Sequence, residues 1–127
     1  MDQFERLFTP EEANRLLDSL RPSVDQLVEA RNQVSELRPD LAGALQKAIN
    51  NGGSLATGRL MGLLQRIRSL VDRIQAQGVL VKDIDQGLLD FPARRQGRIV
   101  FLCWKHGEGE IAFWHDLESG FASRQPL

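Results

Sequence analysis

Apolar residues return every three or four positions from Ala13 through Leu16, Leu17, Leu20, Val24, Leu27, Val28 and Val34 to Leu37. One stripe at that spacing is the core-facing side of a long helix. The segment FTPEEANRLL opens it, with Thr9 as N-cap, Pro10 at the first helical position and Glu12 completing a Thr-x-x-Glu capping box. Pro22 lies inside the stripe and predicts a kink or short break near Leu20 to Arg21. Pro39 is read as a restart, with Leu41, Leu45 and Ile49 leading into the loop Asn50-Asn51-Gly52-Gly53. Ser54 caps a second helix striped by Leu55, Leu60, Leu63, Leu64, Ile67, Leu70, Val71 and Ile74 and closed by Gly78. Two such helices fold back as an antiparallel hairpin over residues 8–78. Gly52, Gly53, Gly58 and Gly62 crowd its tip, which is then either flexible or packed closely on another backbone.

Beyond Gly78 the period shortens to that of strands. Residues 79–84, 88–91, 98–104 and 110–115 read as four strands, separated by Asp85-Gln86-Gly87, by Pro92 to Gly97, and by His106-Gly107-Glu108-Gly109. Short connections imply an antiparallel meander, and Gln3 to Phe8 is the candidate for a fifth, edge strand. The predicted class is α+β: a long antiparallel helical hairpin beside a small meander sheet of four or five strands, in a single domain over 1–127 with residues 79–127 forming the sheet and tail.

Composition narrows the function classes. With 42% hydrophobic residues in 127, the chain can bury a core without staples. A net charge of −1 gives no bulk attraction to nucleic acid or to an anionic membrane. Residues 1–50 carry nine acids and six bases, 51–98 four acids and eight bases; the basic middle pairs with the acidic first helix as a solvated face. No window holds about 18 consecutive apolar residues, the opening MDQFERLF has neither a basic start nor an apolar run, and the one cysteine suits a reducing compartment. The expectation is a cytoplasmic protein with no membrane segment and no nucleic-acid partner.

FTPEEANRLL, the Gly87-Leu-x-Asp90-Phe91-Pro92 turn, Cys103-Trp104 to Gly107-Glu108, Trp114-His115, and Gly120-Phe121 through Arg124-Gln125-Pro126 together resemble the bacterial domain of unknown function 2203 family. The resemblance spans essentially the whole chain. It implies an architecture and carries over no activity, substrate or cofactor.

Chemistry-bearing residues concentrate in FLCWKHGEGEIAFWHDLESGF, which holds Cys103, both tryptophans and both histidines. Cys103, His106 and His115, with Glu108, Glu110 or Asp116 as a fourth ligand, are the residue types of a zinc site. Strand register opposes it. A two- or four-residue turn sets Cys103 opposite Ala112 and sends His115 to the other face; a three-residue turn sets it opposite Ile111, with His115 about 13 Å along the strand. Neither register lets them share an ion or act as nucleophile and base, so Cys103 is read as a small core residue. A second candidate site gathers Asp83, Asp85 and Asp90 with Glu108, His115, Asp116 and Glu118. Asp83-x-Asp85-x-Gly87 lacks the remaining oxygen ligands of a calcium loop, and its plain reading is a turn in which Asp85 bonds its own backbone and Gly87 supplies positive φ.

The third strand alternates Ile99, Phe101 and Cys103 on one face with Val100, Leu102 and Trp104 on the other. A hairpin of helices covers one face only, so the second needs the C-terminal tail or another subunit. Phe91, Trp104, Trp114, Phe121 and Arg124 are the interface candidates. Stacking of bases on Phe91 and Trp104 beside Arg94, Arg95 and Arg98 lacks any recognised motif. The leading expectation is a homodimeric, non-enzymatic interaction or regulatory protein with no cofactor and an unidentified protein or small-molecule partner. The alternative is a metal-dependent enzyme or metal-binding protein using a divalent ion, the acidic residues and His115.

Overall fold

The structure, a computed structural model, describes the backbone of residues 4–51 and 55–127, and the side chains of 4–37, 55 and 57–127. Two helices, α1 (Pro10–Asn51) and α2 (Leu55–Gln75), precede five strands: β1 (Leu80–Asp83), β2 (Leu88–Arg95), β3 (Arg98–Lys105), β4 (Phe113–Asp116) and β5 (Gln125–Pro126). The strands form one antiparallel sheet in the order β1-β2-β3-β4-β5. The α+β class and the helical hairpin are as expected from the pattern.

The capping box forms in full: the Glu12 amide donates to Thr9 Oγ1 at 3.1 Å and the Thr9 amide to Glu12 Oε1 at 3.2 Å. These bonds hold the Glu12 carboxyl below its ordinary range. α1 runs unbroken through Pro22 and Pro39, so the break near Leu20 and the restart at Pro39 do not occur. Pro22 sits on the exposed side of α1, away from the core, where the loss of one backbone donor is tolerated. The predicted Ser54 cap and the Gly52-Gly53 tip lie outside the described residues. A Cβ built on Gly58 or Gly62 would meet nothing within 4 Å, so neither glycine is there for close backbone packing.

Three expectations about the sheet need correction. β2 continues through Pro92 to Arg95, and the turn shrinks to Gln96-Gly97, both at positive φ (52° and 82°), as a two-residue hairpin requires. Pro92 is tolerated because its carbonyl points away from β3 and accepts from the Phe8 amide at 2.7 Å. Its missing N–H faces the same open edge, and the β2–β3 ladder loses nothing. The second correction concerns the segment before α1, whose described residues form no strand and are held by that bond and by Arg6 Nη1 donating to the Gln77 carbonyl at 3.3 Å; the fifth strand is Gln125–Pro126, paired with β4. Third, β4 begins at Phe113, so its connection to β3 spans residues 106–112.

That long connection is fastened to α1. Arg21 donates to the carbonyls of Glu108 (3.3 Å) and Gly109 (2.9 Å), the Ile111 amide donates to Asn14 Oδ1 at 2.8 Å, and His106 Nε2 meets Asp25 at 2.8 Å. The helices cover the sheet face that carries Leu89, Phe91, Ala93, Val100, Leu102, Trp104 and Trp114, packed with Phe8, Leu17, Val24, Leu27, Leu70 and Ile74 in one core. The other face bears Leu88, Asp90, Pro92, Phe101, Cys103, Phe113 and His115. Its cover comes from the same chain: Phe4 stacks edge-on to Phe101 at 5.5 Å, Lys82 lies over that ring at 4.6 Å, and Arg124 lies over Phe113 and Phe121 at 4.0 and 4.2 Å.

Candidate metal centre

The outer face gathers three side chains of ligating type. The Gln96-Gly97 turn pairs Arg95 with Arg98, and five positions down each strand it sets Asp90 opposite Cys103. On the other side of β3, Cys103 faces Phe113 and Phe101 faces His115. His115 is therefore one diagonal step from Cys103, on the same face. The one-residue and two-residue differences from the registers expected for a short turn come from the seven residues 106–112. The separation of Cys103 from His115 argued from short turns is thereby overturned: the ligand atoms of Asp90, Cys103 and His115 all lie within 4.8 Å of one another. The three residues are 2%, 1% and 3% exposed.

Hydrogen bonds fix how the imidazole is presented. His115 Nδ1 lies 2.8 Å from the Asp116 carbonyl oxygen, which can only accept, so Nδ1 carries a proton. Nε2 then faces both Asp90 carboxylate oxygens at 3.1 Å, and one proton lies between ring and carboxylate. Burial pushes the Asp90 carboxyl up, against the attraction of His115. Burial, and next the charge of Asp90, push the Cys103 thiol up to about 11. Without an ion, Cys103 is thus a thiol at neutral pH and a poor nucleophile.

Above the cluster sits a cavity of about 110 Å³ lined by Lys82, Leu88, Asp90, Cys103, His115, Ser119, Gly120 and Phe121. Its floor is buried, whereas Lys82 and Gly120 on its rim are exposed. Nearby, Arg124 makes a bidentate pair with Glu108, at 2.9 and 2.6 Å. Arg124, with the Lys105 amide at 2.7 Å, holds the Glu108 carboxyl below its ordinary range.

The other candidates are placed elsewhere. Asp83, and not Asp85, makes the turn: its Oδ1 accepts from the Asp85 amide at 2.8 Å and from the Gln86 amide at 3.4 Å. Asp85 pairs with Arg31 at 2.5 Å. The Asp116 carboxylate is taken by Arg98 at 2.9 Å, leaving its carbonyl to orient His115. Gly87 has the expected positive φ, 66°, and a Cβ there would come within 2.6 Å of His106 Cβ. Of the interface candidates, Phe91, Trp104 and Trp114 are buried in the core under the helices; Phe121 and Arg124 are partly exposed over the second face.

Carboxylate, thiolate and imidazole together are a donor set for a borderline-soft divalent ion, zinc above all. The carbonyl-bound Nδ1 is the usual partner of a ligating histidine. A tetrahedral ion would need its donors roughly 3–4 Å apart, a small contraction from the 4.8 Å limit seen here.

A helical hairpin laid on one face of a five-stranded meander, with a buried polar cluster on the other, defines an α+β protein in which scaffold and candidate site occupy opposite faces of one sheet. The profile of the family described as Uncharacterized conserved protein (DUF2203) matches residues 6–127, and the chain belongs to that family. Neither a curated protein nor a solved structure matches it. Among the described residues, no helix is long and apolar enough to cross a membrane.

Proposed function

We propose that this protein binds one divalent ion of the zinc class through Asp90 carboxylate, Cys103 sulfur and His115 Nε2. The observation that carries this reading is the convergence of three different ligating side chains, all buried, within 4.8 Å on one sheet face. A buried aspartate–histidine pair alone would serve as a structural polar contact. The adjoining thiol and the cavity above it favour an ion, since three protein ligands and an open fourth position are the arrangement of zinc sites that present the metal to another molecule. Binding would expel the Cys103 thiol proton and the proton shared by Asp90 and His115, about two per ion.

Elemental analysis and native mass spectrometry of protein purified without chelator, then after chelator and zinc, test this. One ion per chain is expected in wild type, and none in Cys103→Ser, His115→Gln or Asp90→Asn variants whose circular dichroism shows them folded. A folded wild-type chain that takes up no zinc, cobalt or nickel at micromolar concentration refutes it.

A second reading, a homodimeric interaction protein without a reaction of its own, draws on the apolar Leu55, Met61 and Leu64, which are 95%, 54% and 44% exposed on α2. Light scattering at micromolar concentration tests it; a monodisperse monomer would remove it.

A further inference from the structure

We propose that the fourth ligand of the ion at Asp90, Cys103 and His115 is a small exchangeable monoanion, held in the cavity beside Lys82. This rests on the metal reading above and goes on to name the ligand class. Charge is the first argument. One carboxylate and one thiolate neutralise a divalent ion, so an anion in the fourth position adds a negative charge that needs a cation nearby. Lys82 is the cationic residue in the cavity lining. Arg124, the next cation, is committed to Glu108 by two hydrogen bonds of 2.9 and 2.6 Å.

Size is the second argument. About 110 Å³ accommodates a few heavy atoms, far below the ~300–1,000 Å³ of pockets for larger ligands. Leu88 and Phe121 make part of the wall apolar, which strengthens attraction between an anion and Lys82 by keeping water away. The Lys82 stem lies on the second face with its Nζ 4.6 Å from the Phe101 ring centre, while the residue stays exposed. A cation at the cavity rim would let the ligand enter and leave without unfolding any strand. A neutral water ligand adds no charge and would have no use for Lys82; an anion would.

The test uses the full chain loaded with cobalt(II), whose visible absorption reports coordination, and azide and formate as probes. A saturable change of the cobalt spectrum is expected with either anion, and Lys82→Gln should weaken it about three- to tenfold while leaving cobalt stoichiometry at one. Lys82→Arg should restore most of the affinity. Cobalt bound with a spectrum that neither anion alters overturns the anion site and leaves the metal reading standing. Equal anion affinity in wild type and Lys82→Gln also overturns it, because Lys82 is then a bystander. Failure to bind cobalt at all refutes the metal reading itself, and this inference with it.

Discussion

The two faces of the sheet are built by opposite means. Toward the helices, β2, β3 and β4 present Leu89, Phe91, Ala93, Val100, Leu102, Trp104 and Trp114 to a thick layer of leucine and valine. On the far side, Asp90, Cys103 and His115 are as well buried, but beneath a thin cover of Phe4, Lys82, Phe121 and Arg124. The first face is stabilised by area removed from water, about 25 cal/mol per Å². The second must satisfy a carboxylate, an imidazole and a thiol in low dielectric, which stabilises little and costs much when one partner is missing. A sheet that could have been closed by apolar residues on both faces instead keeps a polar cluster beside a cavity, which is where function is expected to lie.

Breaking the helix-facing layer should cost most. Phe91→Ala, which empties a fully buried site against Phe8, should lower unfolding free energy by about 3–5 kcal/mol in urea titration, with zinc stoichiometry of the folded fraction unchanged. On the outer face, His115→Phe in metal-free protein strands the Asp90 carboxylate and should cost about 3 kcal/mol. Asp90→Leu combined with His115→Phe should recover most of that loss while abolishing metal binding. A double variant as unstable as the single one would show that the pair contributes more than mutual neutralisation.

Next comes an alkaline effect from Cys103. Its thiol titrates near 11 in the fold and near 8.5 when unfolded, so the native state holds this proton more tightly. Its contribution is fully present below about pH 8.5 and disappears as pH rises toward 11, a loss of about 3 kcal/mol in metal-free protein. Alkylation of Cys103 should likewise stay slow at pH 8. The smallest effect belongs to the cover. The lowered Glu108 carboxyl, paired with Arg124, stabilises above the ordinary carboxylate range, and this is lost as pH falls through its depressed folded value. Glu108→Gln should cost about 1 kcal/mol at pH 7, and the difference from wild type should vanish in acid.

How much of this was readable in advance differs between elements for identifiable reasons. The capping box at Thr9 and Glu12 and the stripe from Ala13 to Leu37 are local; the box forms, and the stripe packs into the core from Ala13 to Val28, while Val34 and Leu37 are half-buried. Of the two outcomes read from Pro22, a kink or a short break, the break does not form, since a proline's effect depends on which side of the helix faces water, a tertiary property. Pro92 misled for a similar reason, its missing donor facing away from β3. Half of the candidate site was within reach: Gln96-Gly97 as a two-residue turn would already have set Asp90 against Cys103. His115 was not, since its position depends on a seven-residue connection whose course is set by Arg21, Asn14 and Asp25 on α1.

Periodicity, capping and turn chemistry act over a few residues, and from them alone follow the helical hairpin, the antiparallel strands after Gly78 and the α+β class. Which strand end faces which, what covers the second face, and that Asp90, Cys103 and His115 meet there are contacts between distant parts of the chain. Those are set by the packing of the 106–112 connection on α1 and of the C-terminal tail on the sheet, because register beyond a tight turn is decided by whatever the intervening loop is tied to.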